Sequence, residues 1–570
     1  MNWGRNDVPL GEFWAFDFFP NLSVKATASA AHAYGKRICQ AEAFTSNMHW
    51  EFDPWMLKQR VDPQFCLGLN RIMLDVYTLQ PYVDSKLKPG YESFEDSAFD
   101  RNITWWEQSH AFFDYVSRCQ FLLQQGRFVA DVCYYAGEDA PCYSQAYAGI
   151  TDWSSNGDVK KSPAGYDNDT INAEVLLTRL SVKNGRLVLP DGMSYGLLVL
   201  PQVETMSPEV LRKISALVEA GATVVGPRPR RSPSLKDYPA CDQDVKTSAD
   251  RLWGTSAEGS NGVREQGGNT PASEHTYGKG RIVSGKKIEE VLEGQGILPD
   301  FACEGSNLDY IHRATDDTDL YFVANYNKGG AKAECTFRVS RRQPELWDPV
   351  TGHRREAVAF TQTRDGRTRV PLELPLHGSL FVVFRKPIAR GRQGRGSSNF
   401  PTFSPFMEVK SPWTVKFDPQ WGGPESVEFS ELVDWTKRPE EGIKYYSGKA
   451  TYVKTFELNG GAPRHAGSRM YLNLGELNNV AEVRLNGQEL GVLWARPFRV
   501  EISGAVKSGK NELEIDVVNL WPNRLIGDAG LPVEKWFTKT NMRKYTKDSP
   551  LMPSGLLGPV VLESVAKAGR

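Results

Sequence analysis

The spacing of apolar residues changes character along this chain, and the changes divide it. Residues 23–34 (SVKATASAAHAY) predict an Ala-rich helix, and the apolar run 36–45 (KRICQAEAFT) a strand that carries one carboxylate, Glu42, at its C-terminal end. Residues 70–77 (NRIMLDVY) predict the next strand, and residues 105–125 an amphipathic helix closed by Gly126. This alternation of helix and strand is that of a (β/α) unit, in which catalytic groups project from strand C-termini.

From residue 128 the apolar runs become short and continuous, as in strands buried on both faces. Residues 128–132 and 195–201 predict such strands, Ser207-Pro208-Glu209 opens a helix that runs to Gly221, and residues 222–226 form the next strand. Residues 303–386 instead alternate with period two between turn residues, predicting a small antiparallel sandwich. A basic, Gly-rich segment (389–398) reads as a flexible linker. Beyond it, residues 446–456, 481–487 and 511–517 have the period of half-buried strands, and Asn486-Gly487 is a hairpin signal. The predicted fold is therefore multidomain α/β plus all-β. It comprises part of a (β/α) barrel (1–126), a doubly wound α/β domain (127–300), an antiparallel β-sandwich (301–387), a linker (388–404) and a C-terminal jelly-roll β-sandwich (405–570).

Charge narrows the partner. Lys and Arg number 68 against 69 Asp and Glu, so the field that gathers nucleic acid or anionic lipid is lacking and a neutral partner is expected. The 15 Trp and 21 Tyr suit packing on sugar rings and equally suit cores and interfaces. Eight Cys show no CxxC or Cys/His metal spacing, and a Cys133–Cys142 pair is open but not required. No run of about 20 apolar residues spans a membrane. Met1 leads directly into Asn2-Trp3-Gly4-Arg5, so either the protein is cytoplasmic or an exported N-terminus is missing. The α/β domain carries no GxGxxG or Walker loop, which leaves it a structural role.

Four ordered segments, Pro9 to Trp14 (PLGEFW), Ala28 to Lys36 (ASAAHAYGK), Ala41 to Thr45 (AEAFT) and Arg101 to Trp106 (RNITWW), together resemble glycoside hydrolase family 106, the α-L-rhamnosidases. Residues 485–494 and 519–528 resemble the galactose-binding-like sandwich of those enzymes, which also occurs in family 2 glycosidases. The match covers essentially the whole chain but only the C-terminal part of the family's proteins. It implies removal of terminal α-L-rhamnose with inversion, two glutamates, a calcium requirement, and a periplasmic or secreted location. On that resemblance the glutamate of the AEAFT motif falls on Glu42, and its partner is expected upstream of Met1. A complete barrel takes about 250 residues, so the chain is expected to begin in mid-barrel. The family usually has a His where this chain has Asp75.

Inverting hydrolysis needs an acid for the leaving oxygen and a base for water. Glu42 is expected to be one of the two, with the base role favoured; the alternative is a strand-end carboxylate paired with Lys36 or Arg71. Glu12 is a substrate or calcium contact, or a cap. Further candidate substrate contacts are Trp50, Asn70, Asp75, Arg101, Asn102 and Trp105. Of Trp105 and its neighbour Trp106, one is expected in the core. Asp100 shares the loop of Arg101 and Asn102, where side chains can reach hydroxyls or a hard cation, but no calcium-loop motif assigns the ligands. His32 reads as a packed helix residue, and Glu138-Asp139 as a structural pair. Trp494, Trp521, Asn523 and Arg524 either meet sugar or, as favoured, dock against the barrel. Two other readings stay open: a non-catalytic carbohydrate-binding protein and a related exo-glycosidase of other specificity.

Overall fold

The computed structural model describes residues 2–15, 22–81, 87–92, 99–138, 163–254, 272–458 and 469–565. Near the N-terminus three parallel strands, β1 (Leu10–Trp14), β2 (Gln40–Thr45) and β3 (Arg71–Leu74), form an open sheet in that order. Helices α1 (Leu22–Ala33) and α2 (Pro54–Cys66) connect them, and α3 (His110–Leu123) follows. Asp53 caps α2 by accepting from the Met56 amide, with Pro54 at the first helical position where its missing N–H costs nothing. The helix expected from residue 105 starts only at His110, because Trp105 is drawn into the core and its indole donates to the Phe52 carbonyl at 3.3 Å.

The α/β domain is a six-stranded sheet in spatial order 273–277, 280–284, 223–225, 197–199, 132–135, 168–171, parallel except for its first edge strand. Ser207 caps the helix Pro208–Glu219 as its sequence predicts. Residues 128–132 do not form one strand. Arg127–Phe128 joins the edge of a sandwich sheet opposite Arg313 and Ala314, and the α/β strand begins at Val132. The middle sandwich packs a four-stranded sheet on a six-stranded one. Segment 389–398 is tied down on this sandwich rather than loose: Gly394 and Gly396 donate to the Phe360 and Val358 carbonyls, and Gln362 reaches the Ala389 and Arg392 carbonyls.

The C-terminal sandwich also has one four-stranded and one six-stranded sheet. Its strands Val480–Leu485 and Gln488–Leu493 are joined by Asn486-Gly487, both with positive φ (53° and 78°), the two-residue turn that fits strand twist.

Three domains grip the N-terminal unit. Helix α1 docks on the α/β domain, where Lys25 pairs with Asp167 and His32 with Asp169, both at 2.9 Å. Helix α2 docks on the middle sandwich: Lys58 pairs with Asp62 and donates to the His377 carbonyl and Ser379 hydroxyl, while Phe65 meets Phe322 edge-on. From the C-terminal sandwich, Trp494 packs edge-on against Phe112 and Tyr115, and the Trp521 indole donates to the Asn102 carbonyl at 2.7 Å. Asn523 and Arg524 are buried, bonded to Ser554 and Asp528 within their own domain. Of the docking and sugar-contact alternatives, these side chains take the docking or internal role.

Candidate active site

Alternation along β1–β3 sorts their side chains onto two faces. Phe13, Ala41 and Ala43 lie in the core beneath the helices. Gly11 shares that face because a Cβ there would sit 2.9 Å from Thr27 Oγ1 and 3.1 Å from the Ser23 carbonyl, so only glycine lets α1 come this close. The other face carries Glu12, Glu42 and Met73 side by side at matched register, with Gln40 and Arg71 towards its N-terminal end. Glu12 and Met73 are exposed and Glu42 is half-buried.

Glu42 stands third of six residues in β2, mid-strand rather than at the C-terminal end where the sequence placed it. One of its oxygens accepts from Thr45 Oγ1 at 3.2 Å. Arg71, a candidate partner, donates to Gln40 at 2.5 Å instead, and no Lys36 or Arg71 ion pair to Glu42 occurs among the described residues. Glu12 is anchored through its backbone, with Ser23 Oγ accepting from its N–H and donating to its carbonyl, and through its carboxylate, which accepts from the Trp14 indole at 2.5 Å. Trp14 and Thr45 escaped the sequence reading, although each lies in a quoted motif two or three residues from its glutamate.

Past Glu42 the strand is bent. Phe44 has φ of 69°, uncommon for an aromatic residue, and the β1–β2 register shifts at Phe13/Trp14. Phe44 is fully buried among Phe13, Phe99 and Phe112, and this packing holds the backbone in place.

The loops beyond the strand ends form a rim. Gln80 organises it, donating to the Tyr91 carbonyl and to Asp100 and accepting from the Tyr91 N–H. Arg101 donates to the Gln80 carbonyl at 2.7 Å. Gly90 (φ 86°) lets the strands of this loop cross, since a Cβ would collide with the Gln80 amide and come within 2.8 Å of the Asn102 amide. Burial pushes the Asp100 carboxyl up, against the hydrogen bonds from Asn102 and Gln80. A cavity of about 260 Å³ opens here between Gln80, Gly90, Tyr91 and residues 539–541 of the C-terminal sandwich. That sandwich also supplies Tyr545 and Lys544, which hold Glu51 at 2.7 and 2.9 Å. Glu51 and Tyr545 were not legible in sequence, since nearly 500 positions separate them.

The structure brings Glu12 and Glu42 together, with Arg101 and Asn102 on the neighbouring rim and Asp75 just past β3, where its N–H donates to the Ala43 carbonyl. It corrects four expected contacts, the first being Asn102, which is buried with its carbonyl accepting from the Trp521 indole and its N–H donating to Asp100. Asn70 is buried before β3, accepting from the Cys39 N–H and donating to the Arg37 carbonyl, so its amide is consumed in positioning the strand. Trp50 and Trp105 are buried core residues, at 4% and 2% exposure, whereas Trp106 is exposed. His32 is packed, stacking on Phe128, and Glu138 accepts from the Ser207 N–H as a structural contact. Cys133 is buried and free; Asp139 and Cys142 lie outside the described residues.

Calcium takes six to eight oxygens. Two carboxylates on one sheet face supply at most four, and the described residues contain no group of three His, Cys, Asp or Glu suited to a metal. These residues by themselves do not make the implied site. No helix among the described residues is long and apolar enough to cross a membrane.

Comparison with known proteins gives the family. Residues 1–362 match the family model described as alpha-L-rhamnosidase, and residues 436–549 match the glycosyl hydrolase 2 galactose-binding domain-like model. A rhamnosidase structure from Novosphingobium sp. PP1Y is 33% identical with a TM-score of 0.86, over 98% of this chain and 51% of that one. A Formosa agariphila protein with a provisional beta-glucuronidase name is 26% identical over 97% of this chain and 65% of its own length. The chain thus spans about half to two thirds of these relatives. With more than half its length matched by the family model, this chain belongs to glycoside hydrolase family 106, the α-L-rhamnosidase family.

Proposed function

We propose that this protein hydrolyses terminal α-L-rhamnosyl residues of polysaccharides or glycosides, with inversion, and that Glu42 is one of its two catalytic carboxylates, acting as general base. The observation that carries this is the placement of Glu42: a half-buried carboxylate on the polar face of a parallel sheet, steadied by Thr45 and without an Arg71 ion pair. A base must be ionised, oriented and able to meet water. In this reading β1–β3 belong to a (β/α) barrel, with the polar face turned to its interior.

Glu12 serves better as a substrate contact than as the partner catalyst. Matched register on adjacent strands sets the two backbones about 4.8 Å apart, whereas inversion uses carboxyl groups roughly 6.5–9.5 Å apart. Arg101 is proposed to meet sugar hydroxyls from the rim. Release of rhamnose from an aryl α-L-rhamnoside by the purified protein, abolished by Glu42→Gln, supports this reading; sugar binding without turnover assigns a binding module instead. The provisional glucuronidase name of the Formosa relative favours one second reading, an exo-glycosidase of other specificity, which an aryl β-glucuronide assayed in parallel would reveal.

A further inference from the structure

A second cavity lies away from Glu42, beyond the N-terminal ends of the strands, where the α/β domain meets the middle sandwich. It encloses about 520 Å³, within the usual range for small-molecule sites at domain junctions. Four guanidinium groups line it, those of Arg127, Arg186, Arg338 and Arg367, against two carboxylates, Asp131 and Asp365. Asp131 is buried and shared, 3.4 Å from Arg186 and 2.7 Å from Arg338. Asp365 is held by Arg367 at 2.7 Å. Asp300 stands behind Arg338 at 3.3 Å but is also paired with His312, so it does not offset the cleft's cations alone. Arg127 is the most loosely held: its partner, Asp316, is 3.6 Å away and fully exposed. Gly192 lies beneath Arg127, where a Cβ would come within 3.2 Å of its side chain. Ile297 and Leu298 add an apolar wall.

We propose that this cleft binds an acidic saccharide unit, a sugar ring bearing a carboxylate or sulfate. Guanidinium forks match such oxyanions bidentately; Arg186 and Arg338 also donate to Ser194 and the Leu298 carbonyl, which leaves Arg127, held only by an exposed carboxylate, as the principal donor for one, and the apolar wall suits a ring's C–H face. The anion preference stands on the cleft alone; the choice of a sugar as its carrier rests on the glycosidase reading. Such a site would hold an acidic polymer while another part of it occupies the catalytic face.

Calorimetry of the intact protein at low salt, with D-glucuronate, glucose 6-sulfate, D-glucose and inorganic sulfate, tests this without turnover. Both acidic sugars are expected to bind, glucose not at the same concentrations, and added NaCl to weaken binding. Arg127→Gln should weaken it about tenfold, the loss of one charge-assisted contact. Arg367→Gln provides a second variant should the first not fold, and Glu42→Gln should bind as the parent does, whatever its activity. Failure of the acidic sugars to bind, equal binding of glucose, an unaffected Arg127→Gln, or inorganic sulfate binding as tightly as the sugar acids would overturn the proposal.

Discussion

On the β1–β3 face, Glu12 and Glu42 stand at matched register, open to solvent to different degrees, each with an oxygen committed to one neutral donor. In the middle sandwich, Asp300 and Asp319 are clasped between them by His312, whose two ring nitrogens reach them at 3.0 and 3.1 Å while its ring stacks on Tyr321 at 3.9 Å. Burial alone would push the His312 imidazole down, but the two carboxylates raise it to about 9. On the proposed function, the contrast separates acids held for chemistry from acids held for structure. A carboxylate that must meet substrate keeps an accessible, lightly bonded oxygen, whereas one that joins elements is sealed with a counter-charge.

Four variants sharpen that contrast. Glu42→Gln should lower kcat/KM on an aryl α-L-rhamnoside by about 10²–10⁴-fold while Tm stays where it was; a large drop in Tm would move Glu42 to the structural class. Asp62→Ala should do the reverse, costing about 3–5 kcal/mol in chemical denaturation, because it leaves the buried Lys58 ammonium without its counter-charge and takes one partner from the Tyr115 hydroxyl. His312→Gln should cost about 1.5–3 kcal/mol near pH 6. A raised imidazole pKa stabilises fully below about 6.5 and fades as pH rises through about 9. The parent should therefore lose Tm across that window, and the variant should show a flatter profile. Gly487→Ala should cost about 1 kcal/mol, since its φ of 78° disfavours a side chain although no neighbour would clash.

The elements that were legible in sequence are those fixed by local chemistry. Ser207-Pro208 begins a helix because a hydroxyl cap and a preset φ act within one turn, and Asn486-Gly487 folds a hairpin because both residues tolerate positive φ. The motif around Glu42 likewise placed a carboxylate on a strand, though two or three residues too near its end. Expectations failed where a distant partner outbid local preference. Trp105 left its predicted helix for the core, Asn70 spent its amide on residues 37 and 39, and the chain at Arg127–Phe128 crossed to another domain's sheet edge.

Periodicity, caps and turn residues by themselves determined the succession of α/β and all-β segments and marked Glu42, since each of these signals acts over a few residues. Only tertiary structure decided which aromatic residues are buried, which acids are neutralised, and that Tyr545 and Lys544 reach Glu51 on the rim. Those outcomes depend on which surfaces meet, and burial and charge pairing act between atoms close in space however far apart they lie along the chain.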